Sequence, residues 1–354
     1  MTNSSRSSAL EPTLVAALGS LLLCGCGEPT PPKPLTADDF VDEAASRLAL
    51  GQLDAAASAV SNAWLLAAED VDVRLLKAQI DFHAGDSESA TRLYRGVAED
   101  DSLDRKVRAQ GWAGLGVVDL CSNARDAARL DLLRALRLDG KNAAAWYNLG
   151  CVYRDGFSFY AAACDCFETY VRLETNDVER VKRVQHNYIR NLREERANAI
   201  LEIPGARNVN AAACSKALQA AEAAEKKRTF KTAKLRYEEA VAADPTSFKA
   251  TVGLARSWLR TDPTAAGRTK ALDFYYRAYT LSPSSVSTLI EAGNLAYSSG
   301  NVLRAVKFYS SAMAADPTNT TAIDGLIRSL RKNSQKPTAD AYQGYRDFLK
   351  RKFR

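Results

Sequence analysis

Histidine is nearly absent from this chain of 354 residues, which has only His83 and His186, and those two lie more than a hundred positions apart. Neither belongs to an H-E-x-x-H pair or to a nucleophile elbow, so both read as surface or capping positions rather than catalytic ones. A glycine-rich phosphate loop is also missing, because most of the glycines stand singly at helix contacts or turns. Enzymatic chemistry is therefore not expected, and neither is a cofactor. No apolar run is long enough to span a bilayer: the longest, Leu14 to Leu23, is about half the length a membrane helix needs.

Cysteine is sparse as well. Of the seven, Cys24 and Cys26 sit near the N-terminus, leaving Cys121, Cys151, Cys164, Cys166 and Cys214, an odd number. Cys164 and Cys166 are two apart on a helix, so they point to different faces and do not chelate one metal as a C-x-x-C pair does. They read as small apolar residues between packed helices, and no metal is expected. Cys121 and Cys151, toward the C-terminal ends of first helices in adjacent repeats, admit a disulfide in an oxidising compartment.

What the sequence does contain is a period. In the unit Val286 to Asn319, Leu289, Ala292, Gly293 and Ala296 share one helix face, and Ala305, Tyr309 and Ala312 share another. Small residues let two helices approach closely, and Pro317 stops the second before the next unit begins. The small residue of the second helix recurs at Ala56, Ala90, Ala128, Ala163, Ala233, Ala271, Ala305 and Ala341. Those positions are separated by 34, 38, 35, 70, 38, 34 and 36 residues, so the step of 70 marks an interruption. Trp112, Leu115 and Gly116, then Trp146, Leu149, Gly150 and Tyr153, give W-x2-L-G-x2-Y in two units, with Asp119 replacing the aromatic in the first. Tyr237, Ala240 and Pro245, and Tyr275, Ala278 and Pro283, repeat the second-helix pattern. This resembles the tetratricopeptide repeat of 34 residues. The resemblance implies an all-α, right-handed superhelical solenoid of about seven or eight helix-turn-helix repeats and a non-enzymatic role in protein binding.

The resemblance divides the chain into a first array over residues 37–176, a connecting helix and linker over 177–213, and a second array over 214–354 whose last pair, Thr320 to Leu330 and Pro337 to Lys352, caps the end. Asp177 to Ile200 reads as one long polar helix with an apolar stripe from Val178 to Leu192, closed by Pro204 and Gly205. The stripe needs a partner, which favours a helix packing the arrays together over a hinge between them.

Residues 1–25 have the three-part layout of an exported leader. Leu23-Cys24-Gly25-Cys26 resembles the bacterial lipobox, which implies cleavage after Gly25 and lipidation of Cys26. Only one arginine precedes the apolar stretch, and a cytosolic protein with a disordered apolar leader is the alternative. Residues 26–36 are rich in proline and read as an extended tether of about 3 Å per residue. Gly27 in place of an aspartate favours the periplasmic face of the outer membrane, by resemblance to enterobacterial lipoproteins, with the inner membrane as second choice.

The net charge of +6 is concentrated at the end, where residues 328–354 hold nine basic side chains against two acidic ones. That end reads as a solvated cap or as a contact for an anionic lipid, an anionic polymer or an acidic partner. Nucleic acid is not expected, because no aromatic platform accompanies the charges. By resemblance, ligands lie in the concave groove lined by first helices, where Arg256, Asn294 and Arg328 share a register and Lys249 precedes Arg256 by seven residues. These four suit an acidic peptide, whereas the equivalent surface of the first array, with Leu120, Tyr147 and Cys151, is more apolar. The expected function is a lipid-anchored scaffold for an envelope assembly or secretion machine. The alternatives are an accessory subunit of a polysaccharide-export or envelope enzyme complex, and a cytosolic chaperone-type adaptor.

Overall fold

The computed structural model describes residues 35–351; the leader, Cys26, most of the proline tether, Lys352 and Arg354 lie outside them. Four antiparallel helix pairs come first: α1 (Ala37–Ala49) with α2 (Leu53–Ala67), α3 (Val71–His83) with α4 (Ser87–Glu99), α5 (Arg105–Cys121) with α6 (Arg125–Leu138), and α7 (Ala143–Cys151) with α8 (Tyr160–Leu173). A long helix follows, α9 (Val178–Val184) running through a π turn into α10 (Arg190–Leu201). Four more pairs complete the chain: α11 (Ala211–Lys226) with α12 (Phe230–Ala243), α13 (Phe248–Thr261) with α14 (Ala265–Leu281), α15 (Val286–Ser298) with α16 (Val302–Ala315), and α17 (Thr320–Lys332) with α18 (Lys336–Leu349).

Local chemistry starts these helices. Asp70, Asp86, Asp104, Asn142, Asn210, Ser247 and Asn319 each accept a backbone N–H bond at a helix start, which satisfies a donor the helix leaves open and is worth about 1 kcal/mol apiece. The turn inside each pair is equally regular. Gly51, Gly85, Asn123, Ser158, Arg228, Gly300 and Ser334 all adopt positive φ at the same place between first and second helix. The connection of α13 to α14, also three residues long, does without it. Glycine marks only three of these seven turns, so the sequence shows the turn clearly only there.

The small residues of the second helices are buried from Ala56 through Ala305, as their spacing requires. The eighth is a correction: Ala341 is exposed, and Ala339 is the fully buried residue. Ala339 lies 34 residues after Ala305, so the last repeat keeps the period of its predecessor.

The stripe on the long helix is covered from Val181 to Leu192, while Val178 at its start is exposed. Val184, Ile189 and Leu192 are buried, and the Tyr188 ring lies 5.1 Å from that of Phe167 on α8. An apolar core that runs from Ala78 to Phe348 includes residues of both arrays, while Cys214 to Leu254 at the start of the second array form a cluster of their own.

The terminal cap differs from expectation, because α18 packs on α6 of the first array rather than facing solvent. Tyr342, Tyr345 and Phe348 recur every three residues along one face of α18 and are buried. Phe348 meets Trp112 edge-on at 6.1 Å. Arg129 of α6, 1% exposed, sits between the rings of Phe157 and Tyr342 at 4.2 and 5.0 Å. Its guanidinium donates to Ser310 Oγ at 2.7 Å and pairs with Asp126 at 3.1 Å, while the Tyr342 hydroxyl donates to the same Asp126. Alongside, Arg134 pairs with buried Asp131 and covers the Trp112 ring at 4.8 Å. Much of the terminal charge is also engaged within the repeat, through Arg331–Asp340, Arg346–Asp324 and Lys350–Asp347.

The positive-φ turns give a direct test of this architecture. A side chain at Gly300 would touch nothing within 4 Å, so Gly300→Ala is penalised by the backbone alone. It should lower stability by about 1 kcal/mol. Arg228→Gly relieves the same strain at the equivalent turn and should leave the urea midpoint unchanged or higher.

Candidate functional site

Three first helices of the second array, α13, α15 and α17, bring Arg256, Asn294 and Arg328 to exposed positions in register, with Lys249 exposed two turns before Arg256 on α13. Why they reach one surface is visible at Gly293. A Cβ there would lie 2.8 Å from Tyr309 Cε1, so glycine makes room for a tyrosine ring arriving from the second helix. The ring is buried and its hydroxyl emerges beyond the glycine, donating to Asn294 Oδ1 at 2.6 Å. Tyr275 repeats this with Glu291 at 3.0 Å, and Tyr237 with Glu225 at 3.2 Å. Burial, with Glu225 beside it, pushes the Tyr237 hydroxyl up to about 12, so it stays a donor at any physiological pH.

The ladder is not uniformly basic. Arg256 is held bidentately by Glu291, Nε at 2.8 Å and Nη2 at 2.7 Å, and this pairing raises the guanidinium pKa further. Lys249 pairs with Glu222 at 2.5 Å, and Arg260 with Glu225 at 3.1 Å. These acids were missed from sequence, although a signal existed: Glu225 and Arg260, like Arg256 and Glu291, are 35 residues apart, one repeat along the array. Arg328 differs. It and Lys332 lie 5.8 and 4.6 Å from the Tyr297 ring, and neither is in an ion pair among the described residues.

Tyr147 is separated from the other four. Its ring belongs to an aromatic cluster with Phe167, Tyr170 and Tyr188 at 5.8, 5.3 and 6.4 Å, and Arg180 of α9 covers it at 4.4 Å. The long helix thus occupies the apolar surface assigned to a partner there.

His83 ends α3 and His186 lies in the π turn of the long helix. Among the described residues no three His, Cys, Asp or Glu side chains cluster as a metal site. Cys164 and Cys166 are buried, and burial is the main reason the Cys164 thiol is pushed up to about 11. Cys121 is exposed and Cys151 half-buried, and both are free thiols, so the structure pairs neither.

Helix pairs of about 34 residues, close-packed through glycine and alanine, with a large second-helix side chain over first-helix glycines (Tyr94 at Gly114, Leu132 at Gly116, Phe167 at Gly150, Tyr237 at Gly253, Tyr309 at Gly293) and Pro245, Pro283 and Pro317 after second helices, complete the pattern. The chain has the tetratricopeptide-repeat fold. No protein-family model matches the sequence, and no curated protein does. Among solved structures, the tetratricopeptide-repeat solenoid is similar to the TPR2AB domain of yeast Sti1 in its pHSP90 complex, at 15% identity over 86% of this chain and 98% of that one, TM-score 0.29. It is also similar to Pseudomonas aeruginosa PilF, at 15% identity over 67% and 90%, TM-score 0.30. A third is YrrB, described as a TPR protein with an unusual peptide-binding site, at 16% identity over 65% and 95%, TM-score 0.28.

Proposed function

We propose that this protein is a non-enzymatic interaction scaffold whose second array takes an acidic peptide segment of a partner protein. The observation that carries this reading is the pair Arg328 and Lys332 beside the Tyr297 ring, two exposed cations outside any ion pair among the described residues, at the end of a ladder of exposed polar side chains. Solenoids of stacked helix pairs offer extended concave surfaces of this kind. An incoming carboxylate meets Arg328 and Lys332 at once, whereas it must compete with Glu291 for Arg256. The hydroxyl-anchored Asn294 lies between the two places and offers its amide to the ligand.

The second part of the proposal is the location: Cys26 carries lipid, and residues 26–36 hold the solenoid away from the periplasmic face of a bacterial outer membrane, where it serves an assembly or secretion machine. The lipobox-like tetrapeptide and the adjoining prolines support this. No helix among the described residues is long and apolar enough to cross a membrane.

A labelled peptide of about twelve residues alternating Glu and Val would span about 40 Å when extended and serves as a probe of the groove. Arg328→Ala with Lys332→Ala should weaken its binding about tenfold, about 1.4 kcal/mol. Glu291→Gln releases Arg256 and should tighten binding several-fold, whereas unchanged affinity in both variants would contradict the assignment. For the anchor, mass spectrometry of the membrane fraction should find a lipid-modified Cys26 at the N-terminus, and Cys26→Ser should move the protein to the soluble fraction; an unprocessed, soluble wild type is the contrary result.

A further inference from the structure

Charge in this chain is segregated at both ends. Residues 37–104, which build α1 to α4 and lead into α5, carry fifteen acidic side chains against five basic ones. The excess is hidden in the total, because the rest of the chain is strongly basic. Some of these acids are committed: Asp70, Asp86 and Asp104 cap helices, and Asp81 and Glu43 pair with Lys77 and Arg47. Asp38 and Asp72 are exposed and in no ion pair among the described residues.

Asp72 borders a trough of about 710 Å³ on the inner face of α1, α3, α5 and α7, and Asp38 lies one turn before Val41 on the same face of α1. Its floor is apolar, formed by Val41, Ala45, Leu75, Leu76, Ala113 and Val117. Gly114 makes room for the buried Tyr94 ring beneath the floor, since a Cβ there would collide with it. A second hollow of about 560 Å³ shares Ala45, Leu76 and Gln79 with the first, so the apolar surface continues toward His83. Asp72 and Asp139 stand on the rim, and no lysine or arginine lines either hollow.

We propose that this trough is a binding surface for a cationic amphipathic helix of a partner protein, distinct from the groove of the second array and opposite to it in charge. The apolar stripe of such a helix covers the floor, and its lysines and arginines face Asp38, Asp72 and Asp139. Four first helices stacked about 10 Å apart give a trough on the order of 30 Å long, the length of a helix of about 20 residues. A helix fits better than an extended strand because it satisfies its own backbone, whereas an extended segment needs a partner for nearly every N–H and C=O. The trough supplies only a few amide side chains for that purpose, chiefly Gln79, Gln110 and Asn148. An acidic ligand is disfavoured there by uncompensated like charge.

The test is fluorescence anisotropy on the full chain with two labelled peptides of the same Leu and Lys composition, one arranged as an amphipathic helix of about 18 residues and one scrambled so that leucine lies on all sides. The amphipathic peptide should bind at least tenfold more tightly than the scrambled one and gain helicity on binding. Asp38→Lys with Asp72→Lys should weaken it at least tenfold, and Ala45→Gln, which places an amide on the exposed floor, several-fold. Arg328→Ala with Lys332→Ala should leave it unchanged, which separates this surface from the acidic-peptide groove. Equal binding of the two peptides, or unaltered affinity in both trough variants, overturns the proposal.

Discussion

The contact on which the shape of this protein depends is the buried guanidinium of Arg129. A repeat array on its own is quasi-one-dimensional, with each unit touching only its neighbours and the ends left open. Arg129 breaks that pattern by reaching Ser310 across 181 residues of sequence, while Asp126 beside it receives the Tyr342 hydroxyl. Burial lowers the pKa of this arginine, and its Nε has no hydrogen-bond partner among the described residues, so the cation is held at a cost that its other contacts offset. Removing one member of such a set leaves the rest uncompensated, which is why breaking a buried pair is far more damaging than the modest net value of forming it. Aromatic rings supply the remainder, with Phe157 and Tyr342 sandwiching the guanidinium, and Trp112 and Phe348 packed nearby.

Closure at that point fixes where each groove can lie. With α18 docked on α6 and the long helix docked on α8, the surface around Tyr147 is filled by the chain itself. Two inner faces stay open: the polar ladder of the second array and the acid-rimmed trough of the first. The ladder is cross-braced, since each of Lys249, Arg256 and Arg260 holds a glutamate of a neighbouring repeat. Exposed pairs of this sort contribute little stability individually. Their effect on recognition is larger, because they neutralise the middle of the ladder and leave net charge at Arg328 and Lys332.

Much of the fold was legible because the determinants are local. Glycine and alanine at helix crossings, proline after second helices and polar residues at helix starts each act within one repeat, and the period follows from them. Ala341 was misplaced for an equally local reason: α18 offers two alanines, Ala339 and Ala341, and the turn before them uses Ser334 at positive φ instead of a glycine that would choose between them. The glutamates of the ladder were overlooked because the bases were read as a column along equivalent positions, whereas each base pairs diagonally with a neighbouring repeat, Arg256 with the next and Lys249 and Arg260 with the preceding one. The closure was not legible at all. Small rotations between successive repeats accumulate into the curvature that brings α18 to α6, and no single repeat encodes their sum. An arginine within α6 looks, from sequence, like any other surface charge on an amphipathic helix.

Backbone amide hydrogen exchange of α18 addresses the closure most directly. A terminal helix of an open solenoid frays, so its amides exchange through local opening at small free energy. With α18 locked against α6, its amides in the wild-type protein should be protected as strongly as those of α6, and Arg129→Ala should release α18 selectively while α1 to α4 keep their protection. Fast exchange of α18 in the wild-type protein, or protection there that survives Arg129→Ala, would contradict the account.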